Sequence, residues 1–389
     1  MSVRANPTKN FFLEKHASAP VYGYTTGTCA VAAACAAVRM LIQQKTVPYV
    51  IVTTAKKLRV FIEIEKARVS SESASCCVQK YSGSDPDVTN GVFVYATVTK
   101  TAERTVTLDG GTGIGRVTLP GLHQNIGEAA INPVPKRMIV TTVSEELQKA
   151  GVPWGVHVEI SIPEGVELAK QTFNPKLGIV GGISVLGTTG IVEPMSEQAL
   201  LDTIRLELNV RKAQGCSPVL VVPGNYGSEF LQKTYALPLD YAVHCSNFVY
   251  DMVQMAKEAG FTKLLFVGHV GKLVKVAGGI KNTHSKYGDF RMEILSDIAR
   301  AHVPKSEYES CKSALLSCIS TESAVSVLDS FGIRTAVMSD MVQRIQKTMT
   351  EWADGALCIE VLTFTNEHGQ LGATEHAREY IAESRGVSV

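Results

Sequence analysis

Apolar and polar residues follow different patterns in the two halves of the chain. In the first half, an alanine-rich run over residues 25–44 begins with threonines that suit a helix N-terminus, which predicts a helix whose small side chains let another backbone approach closely. Four β-branched, partly alternating segments then predict strands over residues 47–54, 58–64, 69–79 and 91–99. With a further helix and strand after them, this half is predicted to be an α+β domain.

From Leu177 onward, short continuous apolar runs end in glycine loops and are followed by helical stretches, as in SPVLVVPGNYG and KLLFVGHVGK. Apolar strands separated by helices predict a largely parallel sheet that is covered on both faces. The remainder is predicted to be mostly helical, with one late strand at residues 357–363 and a final helix from Thr374. We therefore predict an α+β domain over residues 1–175 and an α/β domain with a helical C-terminal part over residues 176–389.

Composition and charge exclude several classes of protein. The 389 residues are 45% hydrophobic and 19% charged, which is typical of a globular protein and not of a disordered one. The formal net charge of +1 provides no overall attraction to nucleic acid or to an anionic membrane. The longest apolar run, residues 29–38, is shorter than the ~18 residues of a spanning helix, and the N-terminal sequence does not resemble a secretory signal. We expect a cytoplasmic protein without a nucleic-acid or membrane partner.

Nine cysteines are scattered along the chain without any C-x-x-C pair. This spacing indicates neither a zinc motif nor a disulfide framework, and buried structural cysteine is the commoner case. No metal ligand set is therefore expected from the sequence.

Glycine-rich loops are the first candidates for a cofactor site. The loop DGGTGIGRV, residues 109–117, lets backbone N–H groups approach an anion, but strand-like RVTLP follows it where a dinucleotide fingerprint requires a helix. A plain glycine turn explains it equally well. The segment GGISVLGTTGIVEPMS, residues 181–196, is better placed because it follows a predicted buried strand and leads into a helix.

In an open α/β sheet, ligands bind beyond the carboxyl ends of the strands, so glycine loops at three predicted strand ends would outline one crevice. A carboxylate there would accept hydrogen bonds from ribose hydroxyls, although an acidic residue in a first helical turn is also favoured by the helix dipole. The candidate cofactor-binding residues are Gly182, Gly187, Gly190, Glu193, Gly224 and Gly268.

Two polar segments carry candidate acid–base residues. In NTHSKYGDFRME, His284 with Asp289 would form an acid–base or orienting pair, and Arg291 would clamp a carboxylate with two hydrogen bonds. A capped helix start with a salt-bridged first turn is the alternative. In SGSDPDVTN, Asp85 and Asp87 are candidate bases or orienting carboxylates, and ordinary Asx-turn chemistry is the alternative.

Three further polar residues surround the third predicted strand end. His269 lies directly at that end, and Lys272 and Lys275 are three residues apart on the helix that follows, so both can face one anionic ligand. A structural histidine and solvated lysines are the alternatives.

Several of these segments together resemble one family, the cobalt-precorrin-5B (C(1))-methyltransferases of anaerobic cobalamin biosynthesis, called the CbiD family. The resemblance covers residues 22–293. The matching segments are YGYTTGTCAVAAACAA, SDPDVTNG, GGTGIGRVTLPGL, GEAAINPVPKRMI, FNPKLGIVGGISVLGTTGIVEPMS, PGNYG, CSNFV and GHVGKLVKVAGGIKNTHSKYGDFRME.

The resemblance implies transfer of a methyl group from S-adenosylmethionine to ring carbon C1 of a cobalt-bearing, ring-contracted tetrapyrrole, giving cobalt-precorrin-6A and S-adenosylhomocysteine. Cobalt is expected only as part of this substrate. Because the substrate carries many carboxylates, cationic and imidazole side chains are sensible contacts. The substrate-binding candidates are Arg116, Lys136, Arg137, His269, Lys272, Lys275 and Arg291. The candidate catalytic groups are Asp85, Asp87, His284 and Asp289.

Two departures from the family pattern bear on substrate contacts. Leu119 stands where a lysine is common, and Tyr287 with Gly288 replaces a small apolar pair. Two other functions stay open: a nucleotide-dependent oxidoreductase, which NADPH binding would reveal, and a non-catalytic tetrapyrrole carrier, which would not require S-adenosylmethionine. A homo-oligomer and transient contact with neighbouring pathway enzymes are also open.

Overall fold

The computed structural model describes residues 21–239 and 241–385. The chain separates into two compact units, residues 1–197 and 198–389. The sequence-based boundary lies after residue 175, whereas this division follows residue 197. Short strands between these two residues pair with strands of the first unit.

The first unit consists of short strands, a five-stranded sheet and two long helices. Its elements are β1 Gly23–Tyr24, α1 Thr26–Gln43, β2 Tyr49–Thr53, β3 Arg59–Glu63, β4 Glu65–Val69, β5 Ser73–Gln79, β6 Phe93–Thr101, β7 Val106–Gly110, β8 Gly113–Ile114, β9 Arg116–Val117, α2 Pro133–Ala150, β10 Gly155–Ser161, α3 Gly165–Leu168, β11 Ile179–Val180, β12 Gly182–Ile183 and β13 Ile191–Val192.

The main sheet of this unit has the order β4-β5-β6-β10-β7, in which only β10 and β7 are parallel. Helix α1 lies against β5 and β6 and also packs on α2. Its alanines are fully buried, and Cys76 on β5 comes close enough for its Sγ to lie 3.2 Å from the carbonyl oxygen of Ala33. Backbone also approaches α1 closely, since Gly27 N donates to Leu186 O at 2.9 Å, so the prediction of a helix with small side chains approached by other backbone is confirmed.

Helix α1 is long and apolar enough to cross a membrane by composition, but 83% of its apolar window is buried inside the structure. It contributes most of its residues to the hydrophobic core of the first unit. This burial identifies α1 as a core helix.

Three pairs of two-residue strands hold the segment around the predicted second glycine loop. Strand β11 pairs with β9, β12 with β8 and β13 with β1. The prediction that this segment opens the parallel sheet of the α/β domain is therefore wrong. Positive φ angles at Gly178, Gly181, Gly187 and Gly190 turn the chain repeatedly, which prevents one continuous strand.

The second unit is an α/β unit with a helical C-terminal part. Its elements are α4 Glu197–Ala213, β14 Val219–Val222, α5 Asn225–Tyr235, β15 Val243–His244, α6 Val249–Glu258, β16 Lys263–His269, α7 Val270–Ala277, α8 Arg291–Ala299, α9 Tyr308–Leu316, α10 Thr321–Ser330, α11 Arg334–Trp352, β17 Cys358–Thr365, β18 Gly369–Ala373 and α12 Ala377–Ser384.

The sheet of this unit has the order β15-β14-β16-β17-β18, with four parallel strands and an antiparallel edge strand β18. Buried helices and strands form one large apolar cluster, and a smaller cluster lies on the other face of the sheet. The predicted fold class, α+β followed by α/β, is confirmed. The sequence predicted only one late strand, and β18 is a second one that it missed.

Seven of the nine cysteines are buried, Cys318 is half-buried and Cys358 is exposed. Burial raises the pKa of Cys29, Cys76 and Cys245 to about 12. These thiols are packed as small apolar side chains.

Candidate functional site

Signature segments from distant parts of the chain meet at one place in the first unit, which we call the motif junction: residues 22–28, 81–87 and 186–195. Tyr24 N donates to Tyr81 O at 2.7 Å, and Thr28 Oγ1 donates to Gly190 O at 2.7 Å. Met195 N donates to Asp85 Oδ1 at 3.0 Å. Three stretches that the sequence singled out separately are therefore joined by direct hydrogen bonds.

The glycines of the motif junction are packed tightly. A Cβ on Gly187 would lie 2.3 Å from Thr25 Oγ1, and one on Gly190 would lie 2.8 Å from Thr28 Oγ1. Nearby in the same unit, a Cβ on Gly182 would lie 2.3 Å from Gly113 O. These contacts fix the approach of the glycine segment to the N-terminus of α1 and to β8, and they account for the three glycines without a ligand.

The two aspartates of the motif junction have different surroundings. Asp87 accepts hydrogen bonds from Lys80 Nζ at 2.6 Å and from Thr89 N at 2.8 Å. Burial opposes ionisation of Asp87, but the Lys80 ammonium and these hydrogen bonds outweigh it and hold the pKa below its ordinary value. Half-buried Asp85 accepts a hydrogen bond from Met195 N on Oδ1, while Oδ2 accepts none from another of the described residues.

Glu193 forms an ion pair with Lys56, and both side chains are more than 40% exposed. The predicted ribose-binding carboxylate is therefore held by a lysine at the surface of the first unit.

A cavity of about 310 Å³ lies beside the other glycine loop and includes Asp109, Arg116, Glu128 and Lys136 in its lining. Arg116 makes a bidentate pair with Asp109, at 2.7 and 2.9 Å, which holds the pKa of that carboxyl below its ordinary value. The Nζ of Lys136 lies 3.7 Å from Glu128. Arg137, next in the chain, is exposed and makes no ion pair within the described ranges.

The second unit places other candidates at the carboxyl edge of its parallel strands. Gly224 follows β14 and begins α5, and a Cβ on it would meet nothing within 4 Å. A Cβ on Gly268, at the end of β16, would lie 2.3 Å from Leu273 Cδ1. Gly224 therefore faces open space, whereas Gly268 packs against the Leu273 side chain.

His269 caps the N-terminus of α7, where its Nδ1 accepts a hydrogen bond from Gly271 N at 3.1 Å. The neutral ring then carries its proton on Nε2, which donates to Glu322 Oε1 at 3.2 Å. The imidazole and the Phe364 ring also pack nearly perpendicular to each other at a centroid distance of 5.7 Å. His269 is thus oriented by three separate contacts.

The two lysines of α7 differ in how they are used. Lys275 is buried, and its Nζ donates to Thr283 O at 3.3 Å and to Gly288 O at 2.9 Å. Lys272 lies 3.5 Å from Ser246 O, and burial lowers its pKa. Lys275 therefore ties down the following loop, and Lys272 is the more available of the two cations.

The polar segment at residues 282–293 does not bring its acid–base candidates together. His284 Nδ1 accepts from Lys286 N at 3.1 Å, which caps a short 3-10 helix. Asp289 pairs with Arg291 through two hydrogen bonds, and this lowers the pKa of Asp289. The capped, salt-bridged helix start that the sequence left as an alternative matches this geometry.

Sequence reasoning missed the partners of the predicted residues. Lys56, Lys80, Asp109 and Glu322 each bind one candidate. It also missed a polar cluster in the second unit, in which Ser228 Oγ lies 3.1 Å from His244 Nε2 and Glu207 accepts a hydrogen bond from the backbone N of His244 at 2.8 Å. Lys56 and Glu322 lie 137 and 53 residues from their partners, so sequence separation hid these two contacts, whereas Lys80 and Asp109 lie only seven residues from theirs.

Comparisons with known proteins bear directly on the resemblance. Residues 13–194 match the family model described as CbiD, and residues 282–375 match the one described as CbiD, C-terminal domain. The cobalt-precorrin-5B C(1)-methyltransferase of Ruminiclostridium cellulolyticum is 41% identical over 382 residues, which cover 96% of this chain and 98% of that protein.

The enzyme of the same description from Listeria monocytogenes serotype 4b is 41% identical over 91% of this chain and 94% of its own length. A crystal structure of the cobalamin biosynthesis protein CbiD from Archaeoglobus fulgidus is 27% identical, with a TM-score of 0.37, over 72% of this chain and 83% of that one. The matched models and relatives show that this chain belongs to the CbiD family.

Proposed function

We propose that this protein transfers a methyl group from S-adenosylmethionine to C1 of cobalt-precorrin-5B in the cytoplasm, as a step of cobalamin biosynthesis. The observation that carries the proposal is the 41% identity, over nearly the whole chain, to relatives with that activity in their name. The hydrogen-bonded assembly of the signature segments at the motif junction supports it, because these segments carry the family resemblance.

The methyl donor is proposed to bind at the carboxyl edge of the second unit's sheet. Open space at Gly224 lets a ligand approach the backbone, and the N-terminus of α5 directly after it favours the donor's carboxylate. The glycines at 182, 187 and 190 are assigned to packing in this proposal, and Glu193 to its surface ion pair.

Carboxylates of the tetrapyrrole are proposed to bind to the cationic start of α2. Arg137 is exposed and unpaired in the described structure, and Lys136 is only weakly held by Glu128 at 3.7 Å. Arg116 already satisfies Asp109 and would hold the cavity wall in shape.

The chemical step is an in-line displacement, in which the ring carbon attacks the methyl carbon while its bond to sulfur breaks and S-adenosylhomocysteine leaves as a neutral thioether. Alignment of the two reactants lowers the barrier, and no covalent enzyme intermediate is needed. Where the macrocycle must lose a proton, Asp85 is the proposed base because one of its oxygens is free to accept it. Asp87 is already satisfied by Lys80, and the Nδ1 of His284 already accepts a hydrogen bond from Lys286 N.

Calorimetric titration of the full chain with S-adenosylmethionine and S-adenosylhomocysteine, with and without the corrinoid precursor, tests the activity. Saturable binding of both adenosyl ligands, no binding of NADPH and transfer of labelled methyl to the precursor are expected. Binding of the precursor without either adenosyl ligand would favour the carrier function, and NADPH binding would favour the oxidoreductase.

Asp85→Asn tests the assignment of the base. Asp85→Asn is expected to reduce turnover about 100-fold, with donor affinity and folding unchanged, because it removes only the proton acceptor. Wild-type turnover in Asp85→Asn would remove this residue from the chemistry.

A further inference from the structure

The β17–β18 turn of the second unit carries a group of potential metal ligands that the proposed methyl transfer does not use. Glu322 lies in the first turn of α10, and Glu367 and His368 lie in the turn between β17 and β18. One ligand atom from each residue lies within 4.8 Å of the other two. Residues from two distant parts of the chain therefore converge on one point.

The carboxylate of Glu322 is only half satisfied. Its Oε1 accepts a hydrogen bond from His269 Nε2 at 3.2 Å. Its Oε2 is shielded from solvent and has no hydrogen-bond partner in the described part of the chain. A shielded carboxylate oxygen without a partner is unfavourable, and a bound cation would satisfy it.

The other two ligands are available for coordination. Glu367 and His368 are exposed, and neither side chain makes an ion pair or hydrogen bond with another of the residues described. The two carboxylates stand near each other, and no ion pair in the described ranges supplies Glu367 with a lysine or arginine. Negative charge is thus concentrated beside an imidazole whose nitrogens are free.

We infer that Glu322, Glu367 and His368 bind a divalent transition-metal ion. One imidazole nitrogen and two carboxylate oxygens form a mixed set that suits Zn²⁺ or Co²⁺ and disfavours Ca²⁺ and Mg²⁺, which prefer oxygen ligands alone. His269 supports this site without binding the metal itself. Its Nε2 donates to Glu322 Oε1, which orients the carboxylate and leaves Oε2 to bind the metal. Three protein ligands leave coordination positions for water or a carboxylate of a bound ligand. This ion is separate from the cobalt inside the proposed substrate.

Metal titration of the chelator-treated, dialysed full chain tests the inference. Isothermal calorimetry with ZnCl₂ is expected to show one equivalent bound, and CoCl₂ is expected to give visible absorption bands of a protein-bound ion. Glu322→Gln and His368→Ala should each weaken Zn²⁺ binding by at least tenfold, and His269→Ala should weaken it by about 10- to 100-fold. His376→Ala is the control, since His376 pairs with Glu379 at 3.1 Å on an exposed helix face and should leave affinity unchanged.

Absence of stoichiometric binding, or unchanged affinity in both Glu322→Gln and His368→Ala, would overturn the site. His368 is exposed, so its variant is expected to fold even if loss of Glu322 disturbs α10. An equal loss of affinity in His376→Ala would indicate nonspecific surface binding and would also overturn it. None of these readouts involves a methyl donor, so failure of the metal site and failure of the methyltransferase proposal are distinguishable.

Discussion

The glycine loops of the two units resemble each other in sequence but differ in what surrounds them. At the motif junction, a Cβ on Gly187 would lie 2.3 Å from a threonine side chain, whereas a Cβ on Gly224 in the second unit would meet nothing within 4 Å. Gly187 has a φ of 138°, and Gly224 has an extended backbone that any residue can adopt. The first glycine is therefore needed by the fold, and the second leaves room for a ligand.

Individual charged residues show a similar contrast, although each unit contains both kinds. Asp87 in the first unit is bound by buried Lys80, and Glu193 is held by Lys56. In the second unit, Glu322 keeps one oxygen without a hydrogen bond within the described residues, and Glu367 makes no ion pair there. A motif residue thus indicates a functional site only when its bonding capacity is not already used by the fold.

The largest expected effect is loss of folding stability in Gly187→Val. Backbone strain at positive φ and overlap with Thr25 together should lower the free energy of unfolding by about 4 kcal/mol. Denaturant unfolding measures the loss. Gly181→Ala is the control, since its φ of 84° imposes strain but its Cβ would meet nothing within 4 Å, so its loss should be clearly smaller. Equal losses would mean that crowding at the motif junction is unimportant.

Asp87→Asn should be next, with a loss of about 3 kcal/mol, because it leaves the ammonium of Lys80 buried without its counter-charge. Glu167→Gln is the control, since it breaks an exposed pair with Lys170 and should cost about 0.5 kcal/mol or less.

The stabilisation by Asp87 should depend on pH. The pKa of Asp87 is lowered in the folded protein, so its stabilisation is complete above the unfolded pKa of about 4 and is lost as pH falls through the lower folded value. Unfolding measured from pH 6 to pH 3 should therefore show a weaker acid dependence in Asp87→Asn than in wild type.

Gly224→Ala should change ligand binding and not stability. An added methyl group would obstruct the approach to the N-terminus of α5, and we expect about tenfold weaker binding of S-adenosylmethionine, or about 1.4 kcal/mol. The free energy of unfolding should stay within about 0.5 kcal/mol of wild type. Unchanged donor affinity by calorimetry would contradict a donor site at this strand end.

Glu193→Gln should have the smallest effect. Its ion pair with Lys56 is exposed, so stability should change by about 0.5 kcal/mol and donor affinity should not change. A strong loss of donor affinity would contradict the donor site at Gly224, because it would place the donor in the first unit.

The sequence predicted most of the secondary structure because propensity and periodicity are local. The alanine run became α1, and the β-branched segments became β2, β3, β5 and β6. The segment at residues 179–192 was misplaced because its apolar runs are typical of buried strands, while its turns depend on contacts with α1 and β8. A local pattern does not contain those contacts.

The candidate site was predictable only in part. Residue type and glycine loops singled out Asp85, Gly224 and His269, and the family resemblance supplied the reaction. Which charges remain available depends on partners far along the chain, such as Glu322, which lies 53 residues from His269. The convergence of Glu322 with Glu367 and His368 is equally invisible to spacing, because the ligands come from separate elements.

The buried cysteines give each unit an internal reporter of transient opening. A thiol reagent reacts with the thiolate, and burial raises the pKa of Cys29 and Cys76 in the first unit and of Cys245 in the second to about 12. Labelling of these residues at neutral pH must therefore await exposure of the core, while exposed Cys358 reacts from the folded state. Mass spectrometry of the labelled peptides would time the opening of the two units separately in one native chain.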